Sequence, residues 1–261
     1  MERDEYRRMA EVEDSHWWYR ATRALLVQEL GSRLPAGGRL LDAGGGTGAT
    51  GAWLAERGTL VATDFEPDAL GVYRTLHPDT AGVVAADVLA QPFATDSFDA
   101  ALCVTVLCHQ SIDDPVAAVR ELARVVRPGG LVCLWEPGVR RLRRAHDRVT
   151  HSARRFSLRD LRDLATDAGL VVERATGAHS YLVPPAAVKS LLERGRSSSD
   201  LARHKGGLHG LLGWAAAGER RLLRRVSLPA GLSVMVIARA PSPSGRAAAD
   251  PYGPPATRTA R

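Results

Sequence analysis

The chain has 261 residues, of which 45% are hydrophobic and 25% charged, and its formal net charge at pH 7 is +6. This composition is typical of a globular protein with one sizeable core and argues against several domains. No apolar run approaches the roughly 20 residues that span a bilayer, and the first five residues lack the pattern of a signal peptide. We therefore expect a cytoplasmic protein without a transmembrane segment.

From residue 39 onward, short apolar runs alternate with helical patterns, which is typical of βαβ units. The predicted elements, in chain order, are a strand at 39–42, a helix at 50–56, a strand at 60–63, a helix at 67–76, strands at 82–85 and 100–104, a helix at 115–126, a strand at 131–135, a helix from 157 to 168, and strands at 170–172 and 231–238. We predict a Rossmann-like, doubly wound α/β fold. Its seven-stranded sheet is mostly parallel, with helices on both faces and an antiparallel last strand.

The remaining segments differ from this core in their sequence pattern. Residues 1–38 are expected to form an N-terminal helical lid, and residues 39–183 with 227–240 the ligand-binding core. Helical leucines interrupted by serines and glycines predict a helical cap insertion at 184–226. The tail at 241–261, rich in Pro, Gly, Ala and Arg without periodicity, is expected to be disordered.

The most informative stretch is the glycine run after the first strand, where residues 41–48 read Leu-Asp-Ala-Gly-Gly-Gly-Thr-Gly. Backbone can approach a ligand closely there, and N–H groups can point at it. The G-x-G-x-x-G at Gly46, Gly48 and Gly51 alone would suggest a dinucleotide. However, the run follows the acid Asp42 and not apolar strand residues, so its register does not fit a nicotinamide dinucleotide.

Acidic residues follow the next strands at the same edge of the sheet. Asp64 ends the second strand, where a carboxylate can accept both hydroxyls of a ribose, and Asp87 follows the third, where it can accept from an adenine amino group. Together with the glycine run, these residues resemble the motifs of class I S-adenosylmethionine-dependent methyltransferases. Further motifs of that family match at residues 61–67, 86–88, 96–99 and 121–130. The resemblance covers about residues 10 to 240.

The resemblance implies S-adenosyl-L-methionine as the cofactor and assigns residues to it. The implied contacts are Gly44, Gly46 and Gly48 under the methionine part, Asp64 on the ribose, Phe65, Asp87 and Val88 around the adenine, and Val104 beside the sulfonium. Asp42 would organise the glycine turn, either with or without a contact to the cofactor. In the aromatic run at residues 16–23, Tyr19 and Arg23 are candidates for the cofactor's carboxylate, with ordinary packing of that helix as the alternative.

Candidates for the methyl acceptor follow the fourth and fifth strands. His151 and His146 lie in a segment that also contains the pair Arg154 and Arg155, and His109 follows the fourth strand. The histidines could take a proton from an acceptor hydroxyl or amine, and the arginines could hold an anionic group on it. Glu136, which follows the fifth strand, is a further candidate for substrate binding. Any of these histidines could instead be an ordinary surface residue.

The basic charge is concentrated in residues 139–225, which hold 19 Lys+Arg and 8 Asp+Glu. Such a segment suits an anionic ligand or a membrane surface, and a solvated helix face is the alternative. Peripheral membrane contact therefore stays open, while the lack of interleaved aromatics argues against nucleic acid. The three cysteines, Cys103, Cys108 and Cys133, show no C-x-x-C spacing, so we expect buried thiols and no metal site.

These observations favour a cytoplasmic enzyme that transfers a methyl group in line to an oxygen, nitrogen or carbon nucleophile. The acceptor would be a small molecule of secondary metabolism, or a natural-product, glycan or lipid-linked compound; a homodimer is possible. Two alternatives stay open. One is a non-catalytic module that binds S-adenosylmethionine, and the other is an NAD-dependent oxidoreductase.

Overall fold

The structure is a computed structural model that describes residues 10–140, 142, 152–192 and 208–242. Its strands are β1 (Gly38–Ala43), β2 (Gly58–Asp64), β3 (Gly82–Ala85), β4 (Phe98–Val104), β5 (Val126–Pro137), β6 (Val171–Ala178) and β7 (Ser233–Arg239). Its helices are α1 (Trp17–Leu30), α2 (Pro67–Leu76), α3 (Pro115–Val125), α4 (Leu158–Asp167), α5 (Val183–Leu192) and α6 (Leu208–Leu223), with 3₁₀ segments at Ala52–Glu56 and Ser180–Leu182.

The seven strands form one sheet in the order β3-β2-β1-β4-β5-β7-β6. The first five strands pair in parallel, whereas β7 is antiparallel to both β5 and β6. The predicted doubly wound α/β fold with an antiparallel last strand is therefore confirmed. Because β6 runs in the same direction as the parallel strands, its carboxyl end lies at the same edge of the sheet as theirs.

The sheet is covered on both faces, as the alternation of buried side chains along β4 shows. Ala101 and Cys103 belong to the core cluster that includes residues of α3 and α4, while Leu102 and Val104 belong to the cluster that includes residues of α1. Side chains two residues apart share a face of a strand, so one apolar strand serves two layers of helices. All three cysteines are free and buried, as predicted.

The helix expected at residues 50–56 differs from prediction, because only a 3₁₀ segment forms over Ala52–Glu56. The segment begins after Gly51, whose φ of −109 departs from the helical value and which packs directly against the carboxylate of Asp42.

The segment 184–226 contains two helices with undescribed residues between them. Leu223 of α6 is buried in the same cluster as residues of α1. Gln28 of α1 donates to the carbonyl of Arg220 at 3.0 Å and accepts from Arg224 at 3.0 Å. The second helix thus packs on α1, and a role of the segment as a cap stays a prediction. The expected disordered tail lies largely outside the described residues.

Candidate active site at the carboxyl edge of the sheet

The glycine turn is tied to the end of β2 by its backbone. The N–H groups of Gly44 and Gly45 donate to the carbonyl of Thr63 at 2.8 and 2.9 Å, and that of Gly46 donates to Oδ2 of Asp64 at 2.8 Å. Gly44, Gly46 and Gly48 have φ values of +72, +58 and +96, which other residues rarely adopt. The turn therefore requires glycine for its conformation.

The three glycines differ in what surrounds them. A Cβ at Gly44 would overlap the side chain of Val106, and one at Gly48 would overlap the ring of His77. At Gly46, in contrast, no atom of the described residues lies within 4 Å of the Cβ position. Gly46 is therefore the glycine of the three that leaves open space beside the backbone, where a ligand could pass.

Asp42 lies beneath this turn with only 1% of its surface exposed. Its Oδ2 accepts a hydrogen bond from Tyr73 at 3.1 Å, and burial raises the pKa of the carboxyl to about 7. Gly45 and Gly51 both lie against the carboxylate. The sequence leaves open whether Asp42 organises the glycine turn with or without a contact to the cofactor. The described contacts of Asp42 are those of a residue that supports the turn.

Asp64 is the last residue of β2, and Asp87 lies in the loop that follows β3. Oδ1 of Asp64 accepts from the N–H of Glu66 at 2.9 Å, and burial raises the pKa of its carboxyl. Phe65, the next residue, is 70% exposed. Oδ1 of Asp87 accepts from the N–H of Leu89 at 2.9 Å, while Val88 is buried. Their contacts with a cofactor stay predictions.

The N-terminal segment reaches the glycine turn through a residue that the sequence analysis missed. Glu13 is 1% exposed; its Oε2 accepts from the hydroxyl of Thr47 at 2.6 Å, and its Oε1 lies 3.4 Å from Nε2 of His77. An acid 34 positions from its partner has no local signature in the sequence. Tyr73, the hydrogen-bond partner of Asp42, was also missed. It does have a sequence signal, because it follows Ala69 and Leu70 on the apolar stripe of α2.

Tyr19 and Arg23, the candidates for the cofactor's carboxylate, lie in this N-terminal region. Tyr19 is buried in a small cluster with Ala49, the residue that follows the glycine turn. Arg23 pairs with Asp14 at 3.4 Å and donates to the carbonyl of Glu13 at 3.2 Å. The structure thus brings Tyr19 next to the turn, while both described contacts of Arg23 are made within the N-terminal segment.

Glu136 differs from the sequence-based expectation that it binds substrate. Its side chain is fully buried, and its two oxygens accept the N–H groups of Val106 and Leu107 at 3.1 and 2.8 Å and of Cys108 at 3.1 Å. Burial raises the pKa of this carboxyl to about 7. Because its side chain is fully buried and its oxygens accept three backbone N–H groups, Glu136 holds the loop after β4 and is not exposed to a substrate.

The structure brings some of the acceptor candidates together. The N–H groups of Ala153 and Arg154 donate to the carbonyl of Cys108 at 2.9 and 3.3 Å, so the segment with Arg154 and Arg155 runs beside the loop that contains His109. The guanidinium of Arg155 donates to the carbonyl of Gly138 at 3.1 Å, and Nδ1 of His109 lies 2.8 Å from the hydroxyl of Ser111. The other two candidates, His146 and His151, lie outside the described residues.

Comparison with known proteins identifies the domain to which this site belongs. Residues 41–134, which include the glycine turn, Asp64, Asp87 and Val104, match the family described as a methyltransferase domain. The chain is 37% identical over 121 residues to a demethylmenaquinone methyltransferase from Mycobacterium marinum, covering 46% of this chain and 48% of that protein. The chain thus spans about half the length of the curated relatives it matches.

Solved structures of similar fold cover more of this chain than the curated relatives do. A putative sarcosine dimethylglycine methyltransferase from Galdieria sulphuraria has a TM-score of 0.58 and 18% identity, covering 85% of this chain and 86% of its own. A Haemonchus contortus phosphoethanolamine N-methyltransferase in complex with S-adenosyl-L-methionine has a TM-score of 0.55 and 14% identity, covering 86% and 57%. At these identities the likeness shows the fold.

Proposed function

We propose that the protein transfers a methyl group from S-adenosylmethionine to an oxygen, nitrogen or carbon nucleophile of a small-molecule acceptor. The observation that carries the proposal is the open backbone at Gly46, held directly beside Asp64 within the matched methyltransferase domain. An added Cβ would fill this space, so the site suits a ligand that approaches the backbone closely. The exposed ring of Phe65 next to Asp64 suits a flat base.

The residues present fit this cofactor. Gly44, Gly46 and Gly48 would pass under its methionine part, Asp64 would accept its ribose hydroxyls, and Asp87 with Val88 would flank its adenine. When bound, the cofactor supplies a methyl group already activated by a sulfonium, so the chain's task is to hold the acceptor in line and exclude water. Glu136 contributes by fixing the loop after β4, next to Val104, through three backbone hydrogen bonds.

Two other functions suit the same fold less well. An NAD-dependent oxidoreductase is disfavoured by the glycine register and by the match of residues 41–134 to a methyltransferase domain. A non-catalytic module would bind the cofactor but transfer no methyl group to any acceptor pool. A glycan- or lipid-linked acceptor, a homodimer and a cytoplasmic location stay predictions.

Calorimetric titration with S-adenosylmethionine and S-adenosylhomocysteine tests the proposal. We expect wild type to bind both and Asp64→Ala to bind about a hundredfold more weakly, because the two hydrogen bonds to a charged carboxylate are lost. Asp79→Ala, an exposed carboxylate in the loop before β3, is the matched control and should bind like wild type. Absence of binding by folded wild type at high ligand concentration, or binding of NAD instead, would refute the proposal.

We also propose a peripheral contact with an anionic membrane surface through α6. Leu211 and Trp214 are 66% and 78% exposed on this helix, and Arg221 and Arg225 near its carboxyl end are exposed as well. Exposed apolar and aromatic side chains beside arginines are typical of helices that lie in the headgroup region of a bilayer. None of the described helices is long and apolar enough to cross a membrane.

Sedimentation with vesicles tests this contact. We expect binding to vesicles that contain phosphatidylserine, weaker binding at high salt, and a severalfold lower bound fraction for Trp214→Ser, because an interfacial anchor is removed. Val171→Ser, which removes a similarly exposed apolar side chain from β6, should bind like wild type. Equal sedimentation with phosphatidylcholine alone, or none at low salt, would contradict the proposal.

A further inference from the structure

A cluster of aromatic rings surrounds a histidine that the sequence analysis did not single out. The ring of His179 lies 5.6 Å from that of Trp135, 6.2 Å from that of Trp18, and 6.3 Å from those of Trp17 and Tyr181, measured between ring centroids. We call these five residues the His179 cluster. Trp135 and His179 are buried and form its floor, whereas Trp17, Trp18 and Tyr181 are half-buried and form its rim.

His179 has an unmet hydrogen-bonding capacity. Its side chain is 2% exposed, and neither ring nitrogen has a hydrogen-bond partner among the residues that the structure describes. The indole nitrogen of Trp135 and the hydroxyl of Tyr181, on either side of it, are buried without a partner in the same way. Buried polar groups are almost always paired in folded proteins, so three such groups in one place point to a ligand.

The backbone of His179 is held in a conformation unusual for its residue type. Its φ of +54 lies in the left-handed region, and the two carboxylate oxygens of Glu219 accept the N–H groups of His179 and Ser180 at 2.7 and 2.6 Å. Such a conformation costs free energy and persists where surrounding contacts impose it. Glu219 of α6 therefore holds the backbone of His179 in this conformation.

The His179 cluster lies between the glycine turn and the carboxyl ends of β4, β5 and β6. His179 follows the end of β6, and Trp135 pairs in register with Val104 of β4. On the other side, Trp18 packs on the small cluster that contains Ala49 of the glycine turn. In an open α/β sheet this edge is where ligands bind, so the cluster adjoins the place where a methyl group would be transferred.

We infer that the His179 cluster is the acceptor-binding site for a flat ring with a hydroxyl group, which stacks against the tryptophans and hydrogen-bonds to the imidazole of His179. The inference rests on the proposed methyltransferase function and assigns a substrate class to it. A neutral imidazole carries one donor and one acceptor, which a hydroxyl group matches. Burial lowers the pKa of His179 to about 4, so the ring is neutral at pH 7. Aromatic walls suit a planar ring more than a saturated one.

Binding of naphthol and of its methyl ether, measured with S-adenosylhomocysteine present, tests the inference. The two probes share a shape, but only naphthol can donate a hydrogen bond. We expect wild type to bind naphthol about tenfold more tightly than the ether and His179→Phe to bind both equally, because phenylalanine keeps a ring and removes both nitrogens. Asp79→Ala, at the exposed carboxylate in the loop before β3, is the control and should discriminate like wild type.

A second variant, His179→Asn, tests the inference if His179→Phe does not fold. Asparagine tolerates the left-handed backbone and keeps a donor and an acceptor, so His179→Asn should fold and retain part of the discrimination. Equal affinity of wild type for the two probes, or unchanged discrimination in folded His179→Phe, would overturn the inference. If S-adenosylhomocysteine still binds normally in the same titrations, the proposed methyltransferase function stands and only the acceptor-site inference is overturned. If S-adenosylhomocysteine does not bind, the proposed methyltransferase function itself is overturned.

Discussion

At the scale of single residues, two glycines of similar backbone conformation offer a direct comparison. Gly46 and Gly37 have φ values of +58 and +72, and in the part of the chain that the structure describes neither has an atom within 4 Å of its Cβ position. Alanine at either site should therefore cost about 1–2 kcal/mol of stability from backbone strain alone. Only Gly46 lies beside Asp64 in the glycine turn.

We expect Gly46→Ala to weaken binding of S-adenosylhomocysteine more than tenfold, because the added methyl group occupies the open space beside the backbone. Gly37→Ala should bind like wild type although its melting temperature falls by a similar amount. Calorimetry and thermal melting of the two variants measure both effects. Equal affinities of the two variants would show that no ligand passes over Gly46.

The sequence names the residues of the candidate cofactor site but not those that support them. Asp64 and Asp87 could be found because each follows an apolar run of β-rich composition, and position after a strand is visible in the sequence. Glu13 and Glu219 could not be found, because their partners lie 34 and 40 positions away and only the packed fold brings them together. Glu136 was found, but its three backbone partners were not.

At the scale of elements, the strands of the parallel sheet were predicted within a few residues, because strands buried on both faces appear as continuous apolar runs. Residues 127–130, which the prediction leaves between a helix and a strand, are part of β5, where Gly129 with φ +78 accompanies a shift in register between β4 and β5. The sequence shows the glycines there but not that strand pairing resumes beyond them. The contact between α1 and α6 had no sequence signal, because it joins segments about 190 residues apart.

At the scale of the whole molecule, the stability should depend on pH through Glu136. Its carboxyl has a pKa of about 7 in the folded protein and about 4.5 in the unfolded chain, so the folded state binds more protons between these values. The stabilisation is fully present below about pH 4.5 and is lost as the pH rises through about 7. The loss is on the order of 3 kcal/mol, since one pKa unit corresponds to about 1.4 kcal/mol.

Urea denaturation of wild type and Glu136→Gln from about pH 5 to about pH 8 measures this loss. In the variant, the amide nitrogen of glutamine would face the N–H of Cys108 and lose that hydrogen bond, so the variant should be less stable than wild type at low pH. Because glutamine does not titrate, only wild type loses stability as the pH rises, and the difference between the two should shrink. Glu173→Gln is the control, because ion pairing with Arg239 lowers the pKa of Glu173 and its effect lies at lower pH. Parallel pH profiles for wild type and Glu136→Gln would contradict this assignment.

The position of β7 has a consequence for how the chain folds during synthesis. Residues 233–239 fill the gap between β5 and β6, so until they leave the ribosome β6 has no sheet neighbour and β5 can pair with β4 alone. Without β7, a sheet of the five parallel strands has an unpaired, apolar β5 edge. Such an edge is a template for pairing with other chains. A ribosome that stalls shortly before residue 233 would therefore release an aggregation-prone product.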